Sequence, residues 1–384
     1  MSGSGSVIRK PGRKTWNVVV DLERDPATGK RKQQWHSGFK TKREAERALR
    51  EIMGRLERKE YVAPSKLTVE MFLTDEWLPA IRSRVRASTL SLYTMNVSKY
   101  AVPRLGSKLL QQLTPADLNA FYASLLERGA RDRPLSPSTV RNVHVTLRRA
   151  LVDAQRWGHV TRNVASLADP PRVARTHMKT WSPEELRAFL EHARDERLYA
   201  GYVLLATTGM RRGEALGLRW GSLDLSSARL SVSTSLVVVD DGVVFQEPKT
   251  ATGRRSVPIP PSTVAALKAH RKAQLAERMM LGPDYSDDDL FFCREDGSPA
   301  HPTTFSRRFD DLVAAAGLRR IRLHDLRHTF ATLALQANVP VKVVSEILGH
   351  ASVTLTYDTY SHVIPGMAED ATSKVAALVF PEPI

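Results

Sequence analysis

The feature that most constrains this chain is an ordered set of polar residues in its second half. Arg211 lies in Thr208-Gly209-Met210-Arg211-Arg212-Gly213-Glu214, and Lys249 in Pro248-Lys249-Thr250 ahead of Arg254-Arg255-Ser256-Val257. His324-Asp325-Leu326-Arg327 follows, then Leu348-Gly349-His350, and last Tyr360 within Tyr357-Asp358-Thr359-Tyr360-Ser361-His362. Any one of these clusters is a weak signal. A fold that uses all of them must draw separate stretches of chain into one place, and that place is rich in cations and carries a tyrosine.

Those residue types suit phosphodiester chemistry without a metal, which needs a nucleophile, cationic donors for the oxygens that gain charge, and a proton donor for the leaving oxygen. Two guanidiniums, Arg211 and Arg327, can fork the non-bridging oxygens of a phosphate better than a lysine point charge does. Helical spacing puts Arg211 with Glu214, and His324 with Arg327, on shared faces. His324 and His350 can donate to the same phosphate or assist proton removal. Tyr360, with a reference pKa of about 10, needs a cationic field or a base to attack at neutral pH.

In this order the residues resemble the tyrosine recombinase, or phage integrase, family. The resemblance is strong from Trp181 to Ile364 and looser upstream. It implies that Arg211, Lys249, His324, Arg327, His350 and Tyr360 are catalytic, with Glu214 in support. Lys249 is favoured over Lys268 or Lys272 as donor to the leaving 5′ oxygen. Tyr360 is favoured over Tyr357 because the family sets its nucleophile in Tyr-x-His, matched here by Tyr360-Ser361-His362. Arg212, beside the catalytic position, is expected to contact phosphate or lie at the surface. Attack would leave a 3′-phosphotyrosine and a free 5′ hydroxyl, conserving the bond energy, so no nucleotide or other cofactor is expected. Consistent with that, the Gly29-Lys30 step is followed by Arg31 rather than the Ser or Thr of a P-loop.

Composition fits a partner with many negative charges. The chain has 384 residues, a net charge of +16 and a pI near 10.1, which favours nucleic acid over an anionic membrane. No stretch has the ~20 apolar residues of a membrane span, and no signal peptide is evident, so a cytoplasmic protein is expected. The lone Cys293 offers neither an internal disulfide nor a thiolate metal site and reads as a small core residue.

The length suggests two or three domains. Residues 1–62 hold 16 Lys and Arg against 8 Asp and Glu, and are expected to form an arm-type DNA-binding domain with a disordered Gly/Ser-rich start, Met1 to Ser6. Alternation from Trp16 to Leu22 marks a strand, Asp25-Pro26-Ala27-Thr28-Gly29 a turn, and Lys42 to Lys59 a helix. Lys30, Arg31, Lys32, Lys40 and Lys42 would face DNA. Residues 66–167 read as four or five helices, with start signals at Thr114-Pro115 and Ser136-Pro137 and stops at Gly106, Gly129 and Gly158. Arg148, with Lys99, Arg104, Lys108, Arg141 and Arg149, would give them a basic face, and the resemblance assigns the bundle to core-site binding. Residues 168–180 form a linker. Residues 181–384 form the catalytic domain and tail, with β runs at Leu230 to Val239, Val243 to Gln246 and Ser256 to Ile259.

The fold class implied is multidomain and mainly α with small β elements: an N-terminal three-stranded sheet plus helix, a helical core-binding domain, and a mixed α/β catalytic domain. The partners implied are double-stranded DNA at core and arm sites, a homo-tetramer on that DNA, and an excision factor and DNA-bending host protein, with no membrane. The apolar segment Val375 to Phe380 would either dock on a neighbouring protomer or cover its own core. Two other readings compete. One is a non-catalytic architectural DNA-binding protein or regulator. The other is a zinc hydrolase, because His324-Asp325-Leu326-Arg327-His328 nearly matches His-Glu-x-x-His, although Arg327 would set a permanent cation beside the metal.

Overall fold

A computed structural model describes residues 4–22, 32–58, 61–129, 133–174, 178–240, 242–247, 253–360, 375, 376 and 379. The chain divides into two compact units, Met1–Ala174 and Arg175–Ile384.

The first unit begins with strands β1 (Gly5–Ile8), β2 (Trp16–Leu22) and β3 (Lys32–Phe39), antiparallel in the order β1-β2-β3. Alternation along β2 turns Val18 and Val20 inward, where they are buried with Ala45 of helix α1 (Lys42–Glu57). A capping box starts α1: the Thr41 hydroxyl accepts the Glu44 N–H at 3.2 Å, and the Glu44 carboxylate accepts the Thr41 N–H at 3.3 Å. The expected disorder of Met1 to Ser6 is corrected in part. Gly5 and Ser6 pair with Val20 and Val19, because Val7 packs inward on the same small core and anchors the strand. Met1–Gly3, the Asp25–Gly29 turn, Lys30 and Arg31 lie outside the described residues.

Four helical runs follow. Helices α2 (Val69–Met71) and α3 (Leu78–Ile81) are joined by a π-helical turn, Phe72–Trp77, and α4 (Ala87–Asn96) and α5 (Val102–Leu105) by another, Val97–Ala101. Each π turn is closely followed by a proline, Pro79 or Pro103. A proline ring lacks the N–H and would clash with the carbonyl four residues back, and a wider turn relieves both problems without ending the helix. Helices α6 (Pro115–Glu127) and α7 (Pro137–Arg156) complete the bundle, capped by Thr114 and Ser136. Their shared core includes Phe72, Trp77, Leu118, Phe121, Val143 and Leu147.

The second unit is built around an apolar helix, α9 (Tyr199–Thr208), preceded by α8 (Pro183–His192) and followed by the short α10 (Arg212–Leu216). Strands β4 (Leu223–Asp224), β5 (Arg229–Val232) and β8 (Arg255–Pro258) form one sheet, and β6 (Ser235–Val239) pairs with β7 (Gly242–Gln246) in another. The run from Leu230 to Val239 is therefore two strands in two sheets. It breaks at Ser233-Thr234, after which Asp240, at φ +52, turns β6 back on β7. Helices α11 (Pro261–Leu281), α12 (Pro302–Ala315), α13 (Asp325–Gln336), α14 (Val341–Leu348) and α15 (Val353–Tyr360) follow. Trp181, Phe189, Tyr202, Phe305 and Phe309 pack together in the main core, and Cys293 is buried as expected.

A smaller apolar cluster, including Ala331, Leu335, Val344, Leu348 and Tyr360, holds α13, α14 and α15 together. Val375 and Val379 are exposed; Ala377, Leu378 and Phe380 lie outside the described residues. Among the described residues no helix is long and apolar enough to cross a membrane.

Candidate active site

The site is assembled where α9, α13 and α14 end or begin. Helix α9 stops at Gly209, whose φ of +62 only glycine adopts freely, and an added Cβ would meet Leu348 and Phe330 at 2.6 Å. Met210 is then buried and Arg211 becomes the N-cap of α10. Arg211 and Glu214 meet here, although not as neighbours on a helix face as their spacing suggested. Arg211 has extended backbone, and Glu214 reaches back to accept its N–H at 2.9 Å and its Nη1 at 2.8 Å.

Glu214 is 3 % exposed. Burial alone would raise its pKa, but hydrogen bonds and charge from Arg255, then from Arg211, hold it below the ordinary value. Arg255 Nη2 donates to Glu214 Oε2 at 2.9 Å and its Nε to the Ile347 carbonyl at 2.7 Å. The sequence alone does not disclose this role for Arg255. Its signal was the alternation with Val257, which puts both on the inward side of β8, while Arg254 points out to Glu247.

Arg327 is 3 % exposed and anchors two helix ends, donating from Nη1 to the Gly209 carbonyl at 2.8 Å and from Nη2 to the Leu348 carbonyl at 2.7 Å. Carbonyls at helix C-termini favour a cation. Even so, burial, then the Arg211 guanidinium, weigh against its charge. The Arg211 and Arg255 guanidiniums thus share the Glu214 carboxylate, whose charge also favours the Arg327 cation nearby. Such a pocket favours an anion.

The histidines complete it. His324 is exposed at the N-cap of α13, its ring edge-on to His328 at 5.4 Å between centroids. Gly349, at φ +66, ends α14 so closely on Arg255 that a Cβ would stand 2.9 Å from Nη1, and His350 follows at once. His350 Nδ1 lies 2.7 Å from the buried Thr356 hydroxyl. Burial, then the Arg327 and Arg211 charges, pull His350 down to about 4. It is therefore neutral at pH 7, and in the tautomer protonated at Nε2 the Thr356 hydroxyl donates to Nδ1 while Nε2–H can be given to a ligand.

Tyr360 is fully buried, its hydroxyl 2.7 Å from His328 Nδ1, whereas Tyr357 is 48 % exposed one turn earlier. Burial pushes the Tyr360 phenol up to about 12, with Arg327 opposing. The sequence alone does not disclose the roles of His328 and Thr356. The position of His328, one turn after His324 on α13, is the available signal, and in sequence it equally suits a zinc ligand. His328 Nδ1 is instead taken up by a phenol, and among the described residues no three His, Cys, Asp or Glu side chains gather as metal ligands would.

Lys249 lies outside the described residues. Arg212 is turned inward, donating to the Pro302 carbonyl at 3.1 Å and the Ser306 hydroxyl at 2.7 Å. Lys40 and Arg148 are exposed, and Lys42 is exposed in an i,i+4 pair with Glu46. Lys32 opens β3 with its side chain outside the described residues.

The phage integrase family matches residues 179–366, an arm DNA-binding domain residues 7–56, and a phage integrase N-terminal SAM-like domain residues 71–126. An integrase of Saccharopolyspora erythraea is 28% identical over 363 residues, 80% of this chain and 82% of the relative. A tyrosine recombinase XerC-like protein of Caldanaerobacter subterraneus is 27% identical over 381 residues, 94% of this chain and 96% of the relative. The Tn1549 transposon integrase, solved in complex with transposon right end DNA, superposes with a TM-score of 0.67 at 22% identity, covering 81% of this chain and 100% of that one. The chain belongs to the phage integrase family, the tyrosine site-specific DNA recombinases.

Proposed function

We propose that the chain integrates and excises a phage or other mobile element by metal- and ATP-independent strand transfer. The Tyr360 oxygen attacks the scissile phosphorus, the bond to the 5′ oxygen breaks, and the phenolic proton leaves to a base. Arg211 and Arg327 fork the non-bridging oxygens. His324 and His350 donate hydrogen bonds to them, and Lys249 protonates the departing 5′ oxygen. Glu214 and Arg255 hold Arg211 and the α14 end in place. The 3′-phosphotyrosine is then attacked by a second 5′ hydroxyl, which restores the tyrosine.

The observation that carries this reading is the pairing of a buried cationic pocket with one of two candidate tyrosines: Tyr360, and not Tyr357, touches a pocket histidine. The basic first 62 residues serve arm sites, residues 66–167 core sites, and residues 181–384 the chemistry, with Lys30, Arg31, Lys32, Lys40, Lys42 and Arg148 along the DNA. Four protomers act on two duplexes. An excision factor and a DNA-bending host protein set direction.

A denaturing gel of a protein–DNA adduct formed in EDTA tests the reading, using duplexes that flank the chain's own gene. The adduct is expected in wild type and Tyr357→Phe and absent in Tyr360→Phe. Specific binding with no adduct in any variant would instead support an architectural protein.

A further inference from the structure

We propose that His328 positions the nucleophile, holding the Tyr360 hydroxyl through Nδ1 so that an oxygen lone pair faces the phosphate. The proposal rests on Tyr360 being the attacking residue.

Three observations carry it. First, the contact is short and buried, 2.7 Å between Nδ1 and the phenol oxygen, with ring centroids 5.8 Å apart and Tyr360 at 0 % exposure. Second, Tyr360 belongs to an apolar cluster with Phe330, Ala331, Leu335, Val344 and Leu348, and among the described residues its hydroxyl is bonded by His328. A buried hydroxyl left unpaired costs roughly 1–3 kcal/mol. Third, one tautomer of a neutral His328 gives the bond the direction that attack needs. Burial, then the nearby His324, pull His328 down to about 4, leaving the ring neutral. In the tautomer protonated at Nε2, Nδ1 accepts and the phenol donates. The phenolic proton then points at the histidine and the oxygen lone pairs are free to face an incoming electrophile.

His328 also sits one residue after Arg327, on the first turn of α13. One helix turn therefore fixes both a phosphate-binding guanidinium and the attacking oxygen. Small errors in such a geometry are costly, since a displacement of about 1 Å can lower a rate by about 100-fold.

A merely structural histidine would also fill this space, so the test separates orientation from stability. Single-turnover cleavage is measured on nicked duplexes flanking the gene, with core-site affinity and thermal midpoint recorded for each variant. His328→Ala is expected to slow cleavage about 10- to 100-fold with affinity unchanged within about twofold. His328→Asn, whose Oδ1 stands where Nδ1 was, is expected to recover most of the rate. His328→Gln, which carries its amide at the Nε2 position, is expected to stay slow, and the Asn–Gln comparison decides the matter if the alanine variant does not fold. Wild-type cleavage by His328→Ala, or equal slowness of folded His328→Asn and His328→Gln, overturns the proposal. A Tyr360→Phe control that still forms adduct would instead overturn the choice of nucleophile.

Discussion

Arg255 donates to Glu214 at 2.9 Å, with both groups buried, and this ion pair ties strand β8 to the turn that presents Arg211. The same carboxylate receives the Arg211 backbone and side chain, so one group sets the position of two guanidiniums.

Truncating Glu214 removes the compensating charge from a buried cationic cluster. Breaking a buried pair by deleting one partner costs roughly 3–5 kcal/mol. Glu214→Ala should therefore lower the thermal midpoint by several degrees and slow cleavage. Glu214→Gln, which keeps the shape and part of the hydrogen bonding, should fall between the two. Thermal melts and single-turnover rates check both effects, and a Glu214→Ala variant as stable as wild type would contradict this description of the pocket.

Arg327→Lys tests whether the forked geometry matters beyond charge. A lysine cannot bond the Gly209 and Leu348 carbonyls as a fork and still present a planar face to phosphate. Cleavage should fall by about 100-fold or more, the cost typical of one lost transition-state donor. Core-site affinity should change far less, because many phosphate contacts share it. Rapid-quench cleavage alongside a binding isotherm separates the two.

Much of this site was legible in the sequence because its residues sit in short motifs that each fix a local structure. Gly209 and Gly349 end helices in left-handed backbone beside Arg211 and His350, and in the first unit the start signals at Thr114 and Ser136 mark where α6 and α7 begin. The roles of Arg255 and His328 were not legible, because each depends on a partner distant in sequence. Arg255 needs Glu214 across 41 residues, and His328 needs Tyr360 across 32. The π turns before Pro79 and Pro103 were hidden for a related reason, since a proline in a helical pattern signals strain but not how the backbone relieves it. The strand at Gly5 was missed because flexible composition outweighed a single buried contact from Val7.

The pocket histidines should make stability pH-dependent. His328 and His350 are held at about 4 in the folded protein, against 6.5 for the free side chain. The unfolded chain takes up those protons first, so each histidine costs stability as pH falls from about 6.5 to about 4 and no further below that. His350→Asn removes one of these groups. Its melting temperature should lie below wild type at pH 7.5, through loss of the Thr356 contact, and the gap should narrow towards pH 4. Parallel melting curves across that range would contradict the neutral, buried assignment.

The proposed strand transfer joins Tyr360 covalently to DNA. Mass spectrometry of the adduct, trapped on a nicked duplex in EDTA and digested with protease and nuclease, reads this directly. The expected product is a nucleotide linked through its 3′ phosphate to the peptide carrying Tyr360, with fragment ions placing it on that residue. A nucleotide on Tyr357, or on a serine or histidine of the same peptide, would contradict it.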